Sequence, residues 1–211
     1  PFSKKIAAQS SLSHASSYRE VLNAFYECHG SDQIFSDSSK YLPNLEYLIR
    51  HLSHIGLPTE SLAVLHLVRD ARGFVSSQRR RGRNTWNELL RYFLRWSVRN
   101  LEIERFLERE RLRFLRIGYE EVSMNTEPTM SRIADFLGIP FEPSMLTPNR
   151  SNGHLVIGNP MRKDDRRSSE VFYDNRWFAE DDINLLYELL PRVSSLNRRM
   201  VYGNTLSKPS N

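Results

Sequence analysis

The sequence contains a single cysteine, Cys28, which excludes an intramolecular disulfide and a cysteine-based zinc cluster, because both need several thiols. It also lacks an apolar run close to the roughly 18 residues that a membrane-spanning helix requires, and it opens on no signal-peptide pattern. We therefore expect a soluble chain with no metal site, and we favour the cytoplasm as its compartment. The sequence leaves the oligomeric state open.

The phosphate-binding motif GxxxxGK[ST] is absent too, which argues against a nucleotide kinase or an NTPase. What the chain has in excess is positive charge, since 30 lysines and arginines stand against 25 aspartates and glutamates. This balance favours anionic partners without choosing among nucleotides, acidic glycans, nucleic acid and lipid surfaces. The length of 211 residues predicts one domain, which we place at residues 1–203, followed by a polar, frayed tail at 204–211.

Apolar residues at helical and at strand spacing alternate along the chain, which is typical of an α/β fold with a parallel sheet flanked by helices. The strand at 62–68 is polar only at His66, so we expect it to be covered on both faces. Thr85 and Glu88 have the spacing of a capping box, and Trp86, Leu89 and Phe93 begin the inner face of the helix that follows. The other predicted elements are helix 14–28, strand 33–35, helix 43–56, strand 114–117, helix 128–137 and helix 181–190.

The segment RDARGFVSS, from Arg69 to Ser77, follows directly on strand 62–68. Ligands of parallel sheets bind beyond the carboxyl ends of the strands, so Arg69 is expected at a binding edge. A helix that begins within residues 71–74 would direct its free N–H groups to the same edge, and Ser77 would lie about one turn further along. Arginine, serine and backbone N–H groups together predict a phosphate site.

This segment resembles the 3′-phosphate-binding segment of sulfotransferases that use 3′-phosphoadenosine 5′-phosphosulfate (PAPS), in which a strand is followed by Arg-Asp-Pro-Arg and then a serine. The resemblance implies that Arg69 and Ser77 hold the 3′-phosphate of that co-substrate. Ala71 stands where the family commonly has proline, which shapes the turn. Three further stretches resemble the family in order and spacing: DSSK at 37–40, GYEE at 118–121 followed by FLG at 136–138, and GNPMR at 158–162.

The resemblance covers roughly residues 33–203 and implies a fold like that of the P-loop nucleotide kinases. It places Lys40 near the transferring sulfuryl group, where an ammonium neutralises charge on the reacting oxygens. It also assigns Arg162 to the co-substrate. His154 is a candidate base toward the acceptor, because an imidazole titrates near neutrality. Tyr119, Glu120 and Glu121 are expected in the core and at caps, outside the chemistry.

One expected part of the family pattern is missing. Sulfotransferases carry near their N-terminus a loop rich in glycine, serine and threonine that holds the 5′-phosphosulfate, and residues 1–32 have no glycine before Gly30. We therefore expect the fold to be N-terminally incomplete. A fragment of a longer enzyme, suggested by the start at Pro1, is favoured over a degenerate paralogue.

The sequence thus predicts an enzyme, if the missing loop exists, that transfers a sulfuryl group from PAPS to a hydroxyl or amine. Its acceptor is expected to be a small molecule or a glycan. The alternative is a non-catalytic module that binds an acidic glycan or nucleic acid through the basic loop Arg79–Arg83. Nucleic acid is the less favoured partner.

Overall fold

The computed structural model describes residues 14–30, 33–38, 41–80, 82, 85–147 and 173–203. The chain forms two compact units, residues 1–62 and 63–211, each defined by the contacts among its own residues. The prediction of a single domain over residues 1–203 stays a prediction.

The described residues of the first unit include two α-helices, α1 (His14–His29) and α2 (Leu42–Ile55). Pro43 lies in the first turn of α2, where its missing N–H costs nothing. Gly56 follows the end of α2 with a φ of +82°, a left-handed conformation that glycine adopts at little cost. Both helices confirm the sequence prediction.

The strand expected at residues 33–35 is wrong. These residues form no strand, and the residues of the first unit that the structure describes include no strand that could pair with them. A strand needs such a partner to satisfy its backbone N–H and C=O groups. Phe35 instead makes edge-to-face ring contacts with Tyr18 and Phe25, with ring centroids 6.1 and 5.2 Å apart.

In the described part of the second unit, two strands pair in parallel, β1 (Ala63–Val68) and β2 (Arg113–Gly118). Val68 pairs with Gly118, so the two strands end at the same edge. The connection between them contains α3 (Ala71–Arg79) and α4 (Trp86–Arg109). Among the residues that the structure describes after β2, the helices are, in order, α5 (Tyr119–Met124), α6 (Thr126–Leu137), α7 (Asp181–Glu188) and α8 (Pro191–Val201), with short 3-10 turns at Pro143–Leu146 and Arg176–Ala179. This helix-rich α/β arrangement confirms the predicted fold class.

Helix ends in this unit follow the sequence signals. The Thr85 hydroxyl accepts a hydrogen bond from the Glu88 N–H at 3.4 Å, which satisfies a free donor in the first turn of α4. Gly138 closes α6 in the left-handed conformation with a φ of +72°.

The core lies between α3, α4, α7 and α8, and Phe93 is fully buried at its centre. Trp86 was expected on the inner face of α4 but is 50% exposed. Trp96, ten residues later, is buried in its place because it falls on the face that meets the turn after β1. The buried members are Val68, Ala71, Val75, Leu89, Phe93, Trp96, Ile183, Leu186, Tyr187, Val193, Met200 and Val201.

One face of β1 is open in the described residues, so the expected cover on both faces is wrong. Leu65 and Leu67 are exposed, whereas His66 and Val68 on the other face are buried. The burial of His66 and Val68 reflects the core helices, which pack on that face; Asn100 of α4 contacts His66 there.

Gly118 allows α8 to approach the end of β2. A Cβ atom at this position would lie 2.3 Å from the backbone oxygen of Val201, a distance that no side chain tolerates. The close approach brings the C-terminal part of α8 to the edge where both strands end.

Candidate functional site

The turn between β1 and α3 consists of Arg69 and Asp70, and buried side chains hold its backbone. The carbonyl of Arg69 accepts a hydrogen bond from the indole N–H of Trp96 at 2.9 Å. The N–H of Asp70 donates to both carboxyl oxygens of Glu120, each at 3.1 Å. These contacts fix the direction in which the Arg69 side chain leaves the sheet.

The first N–H groups of α3 also have protein acceptors. Ala71 donates to the side-chain oxygen of Asn197 at 2.8 Å, and Arg72 donates to the Asp70 carboxylate at 2.8 Å. The expectation that free N–H groups at this helix start would face a ligand is therefore wrong for Asp70, Ala71 and Arg72. Their acceptors come from α5, α8 and the turn itself, which a local sequence pattern does not reveal.

The Asp70 carboxylate is fully buried and accepts five hydrogen bonds. Arg72 donates from its backbone and twice from its guanidinium, while Asn197 and Tyr202 donate one bond each at 2.9 and 2.8 Å. Burial alone would raise the pKa of Asp70, but the hydrogen bonds and charge of Arg72 outweigh it and hold the pKa below its usual range. Asp70 is therefore a satisfied, ionised part of the scaffold.

Glu120 lies behind the same turn and is 1% exposed. Burial raises the pKa of its carboxyl to about 7, against the lowering effect of the backbone hydrogen bonds that it accepts. The sequence-based assignment of Glu120 and Glu121 to the core is confirmed, since both are buried and Glu121 pairs with Arg132 at 2.5 Å.

The Arg69 side chain runs across the first turn of α3 over Gly73. A Cβ atom at Gly73 would lie 2.8 Å from the Nε of Arg69, so only glycine leaves room for this path. The guanidinium lies 5.1 Å from the centre of the Tyr119 ring and donates to the Asp174 carboxylate at 3.1 Å. Its Nε is buried, with no hydrogen-bond partner among the described residues.

Asp174 is the meeting point of three arginines. Besides Arg69, its carboxylate contacts Arg176 at 2.6 and 2.7 Å and Arg80 at 3.6 Å. The hydrogen bonds of Arg176 lower the pKa of the Asp174 carboxyl, burial opposes this effect, and Arg69 lowers the pKa further. Asp174 with Arg69, Arg80 and Arg176 is called the arginine cluster below. Its charge is positive overall.

Ser77 lies on α3 and is half-buried. It is four residues after Gly73 and three before Arg80, and residues at these spacings share one face of a helix. Arg69 crosses this face at Gly73, and Arg80 reaches the arginine cluster from it. Arg69 and Ser77 are thus compatible with one ligand, as the sequence predicts, and their assignment stays a prediction.

An open depression of about 560 Å³ adjoins the end of α3 and is lined by Arg79, Arg80 and residues 179–182. Arg79 contacts Glu180 at 3.3 Å and Asp182 at 2.7 Å. The first arginine of the basic loop Arg79–Arg83 is therefore partly neutralised by acidic neighbours.

A second ion cluster lies on the covered face of the sheet. Glu104 of α4 accepts two hydrogen bonds from Arg199, each at 2.7 Å, and another from Arg116 of β2. His66 is buried beside it, with its Nε2 3.2 Å from the Asn100 side-chain oxygen, and burial lowers the pKa of this imidazole. These contacts join α4, α8 and the sheet.

Comparison with known proteins adds one match: the model of a family described as the sulfotransferase family matches residues 4–143. This stretch is about two thirds of the chain. The chain belongs to the sulfotransferase family. Searches of curated proteins and of solved structures found no match. Membership supports sulfuryl transfer as the general chemistry of this sulfotransferase, and the resemblance that the sequence indicated is confirmed.

Three predicted site residues of this sulfotransferase, Lys40, His154 and Arg162, lie outside the described residues. Their roles stay predictions. The sequence reasoning missed Asp174 and Arg176, which contact Arg69 or its partners from more than 100 residues away. Both fall in a stretch without helical or strand periodicity. The one sequence signal for an ordered position is the adjacent Trp177, a large aromatic residue that the structure buries.

Within the part of the chain that the structure describes, no three histidine, cysteine, aspartate or glutamate side chains lie together as metal ligands would. No helix in those residues is both long enough and apolar enough to cross a membrane.

Proposed function

We propose that this sulfotransferase uses PAPS as its donor and transfers the sulfuryl group to a hydroxyl or amine of a small-molecule or glycan acceptor. Arg69 and Ser77 bind the 3′-phosphate of the donor. The observation that carries this proposal is the path of Arg69, which leaves the end of β1 and crosses α3 on the face that holds Ser77.

The electrostatics of the arginine cluster support a phosphate at this position. Three guanidinium groups contact one carboxylate, so positive charge is in excess. The buried Nε of Arg69 is a donor without an acceptor among the described residues, and such a group costs about 1–3 kcal/mol until a ligand oxygen or water satisfies it. A phosphate oxygen is a suitable acceptor because it is charged and accepts several hydrogen bonds.

PAPS supplies the sulfuryl group in this proposal, and the remaining roles belong to residues that the sequence assigns. The ammonium of Lys40 neutralises charge on the transferring and leaving oxygens. Arg162 holds the adenosine bisphosphate part of the donor. His154 accepts the proton of the acceptor hydroxyl or amine.

Calorimetric titration with adenosine 3′,5′-bisphosphate tests the site without requiring turnover. Three charge-assisted hydrogen bonds of about 1.5–3 kcal/mol each suffice for micromolar binding. We expect Arg69→Ala to weaken binding at least tenfold and Ser77→Ala to weaken it by about fivefold. Arg79→Ala, which removes a neighbouring arginine that contacts Glu180 and Asp182, is the matched control and should change affinity less than twofold.

Two results would contradict the proposal. One is bisphosphate binding that does not respond to Arg69→Ala. The other is loss of binding in Arg79→Ala together with a steep dependence on salt, which would favour the basic-loop alternative.

A further inference from the structure

The arginine cluster has more positive charge than its own carboxylate balances. Arg69, Arg80 and Arg176 contribute three positive charges, and Asp174 contributes one negative charge. A further acid, Glu180, acts on Arg176 through its charge, and it is shared with the Ser76 hydroxyl at 2.5 Å and with Arg79 at 3.3 Å. The cluster therefore retains an excess of positive charge that its own residues leave unbalanced.

The three arginines reach Asp174 from three places in the fold. Arg69 follows β1, Arg80 is the residue after α3, and Arg176 lies in the 3-10 turn that precedes α7. The Asp174 side chain is only 7% exposed, whereas the arginine side chains are 27, 38 and 51% exposed. The arginine side chains of the cluster are thus more accessible to solvent than the carboxylate that they share.

We infer that Arg80 and Arg176 complete, together with Arg69, a three-arginine site for a phosphate monoester, and that Asp174 is the resident anion that this phosphate displaces from Arg69. A phosphate monoester carries close to two negative charges at neutral pH and has three acceptor oxygens, so it matches the cluster better than one carboxylate does. Planar guanidinium groups favour such paired contacts.

The inference rests on the proposed function, because the phosphate is taken to be the 3′-phosphate of the donor. It adds a role in specificity. A nucleotide without a 3′-phosphate leaves the pair of Arg69 and Asp174 in place, whereas a 3′-phosphorylated nucleotide must displace the carboxylate, so Asp174 lowers the affinity for 3′-phosphorylated nucleotides alone. Asp174 acts here through Arg69 and is a positioning residue.

The test is calorimetric titration of the full chain with two probes, adenosine 3′,5′-bisphosphate and adenosine 5′-monophosphate. We expect Asp174→Asn to tighten bisphosphate binding about tenfold and to leave monophosphate binding within twofold. Arg80→Gln and Arg176→Gln should each weaken bisphosphate binding about tenfold. Asp182→Asn, which alters an acid that contacts Arg79 outside the cluster, is the control and should have no effect on either probe.

The outcomes separate the two proposals. If the wild-type chain binds no bisphosphate, both the proposed function and this inference are wrong. If Arg69→Ala abolishes binding but Asp174→Asn weakens it or leaves it unchanged, the proposed function stands and the inference is wrong. Should Asp174→Asn fail to fold, the two glutamine variants decide the matter, because those side chains are the most exposed of the cluster; unchanged affinity in both would overturn the inference.

Discussion

Asp70 and Asp174 both hold arginines at the end of β1, but their surroundings differ. Asp70 pairs with a single arginine, Arg72, and neutral donors from Asn197 and Tyr202 supply its other side-chain contacts. Asp174 contacts three arginines, and the nearby Arg69 keeps a buried N–H without an acceptor among the described residues. The first carboxylate is balanced and the second is not.

This difference assigns separate tasks to the two carboxylates. A balanced pair whose carboxylate is fully buried gives the turn a single conformation, because a change at either partner would leave a charge unpaired. A carboxylate that contacts three arginines, as Asp174 does, can be displaced by an anion of higher charge. We therefore propose that the surroundings of Asp70 are scaffold and that the arginine cluster is the site.

The largest effect is expected from Asp70→Ala. The variant leaves the half-buried Arg72 without its carboxylate and Asn197 and Tyr202 without their acceptor, so it should lower the free energy of unfolding by about 3–5 kcal/mol. Urea denaturation measures the loss. Asp182→Ala is the control, because its partly exposed pair with Arg79 should contribute no more than about 1 kcal/mol. Equal losses in the two variants would refute the scaffold role of Asp70.

The second effect is a pH dependence that comes from Glu120. Its pKa is raised from 4.5 to about 7 in the folded protein, so the protonated form is favoured by folding. This contribution is fully present below pH 4.5 and is lost as the pH rises through 7. One pKa unit corresponds to about 1.4 kcal/mol, so the loss is about 3 kcal/mol.

His66 has the opposite effect on the pH dependence of stability. Its pKa is lowered in the folded protein, so the free energy of unfolding increases as the pH rises toward 6.5. Comparison with Glu120→Gln, which keeps an acceptor for the Asp70 N–H, isolates Glu120. The difference in unfolding free energy between wild type and variant should fall by about 3 kcal/mol between pH 4.5 and 8. A constant difference over this range would count against the buried, neutral Glu120.

Local parts of this structure were accessible from the sequence. The strand before Arg69, the helix start at Ala71 and the cap at Thr85 all depend on neighbours within a few residues, and periodicity and capping patterns report such neighbours. The relative position of Arg69 and Ser77 is likewise local, because it is fixed by one turn and one helix, and their role in binding stays a prediction.

The remaining contacts were not accessible because they join distant segments. Asn197 accepts from Ala71 across 126 residues, and Asp174 accepts from Arg69 across 105. No periodicity encodes such pairs. The misassignment of Trp86 has a related cause: Trp86 and Trp96 are equally apolar in sequence, and the contact that distinguishes the buried Trp96 is made with the distant Arg69.

The third effect is smaller and concerns Arg69, whose backbone carbonyl we assign to the scaffold and whose guanidinium we assign to the site. Trp96→Phe removes the N–H that binds the Arg69 carbonyl and leaves a small cavity, so unfolding free energy should fall by about 2 kcal/mol. Affinity for adenosine 3′,5′-bisphosphate should stay within twofold, because the guanidinium of Arg69 is held by other contacts. Denaturation and titration of the same preparation measure both. A tenfold loss of affinity would show that the backbone contact belongs to the site as well.

The smallest effect is expected at Gly73, on the site side of the comparison. Gly73→Ala places a Cβ 2.8 Å from the Nε of Arg69 and 3.2 Å from Trp177, so Arg69 must leave its path. Alanine is favoured over glycine inside a helix by up to about 1 kcal/mol, so lost helix propensity cannot explain a defect. We expect bisphosphate affinity to fall about tenfold, or about 1.4 kcal/mol.

In an Arg69→Ala background the same substitution should change affinity less than twofold, because the side chain that it displaces is gone. An equal loss in both backgrounds would mean that Gly73 acts on the ligand by another route, and Arg69 would no longer be the link between the scaffold and the phosphate.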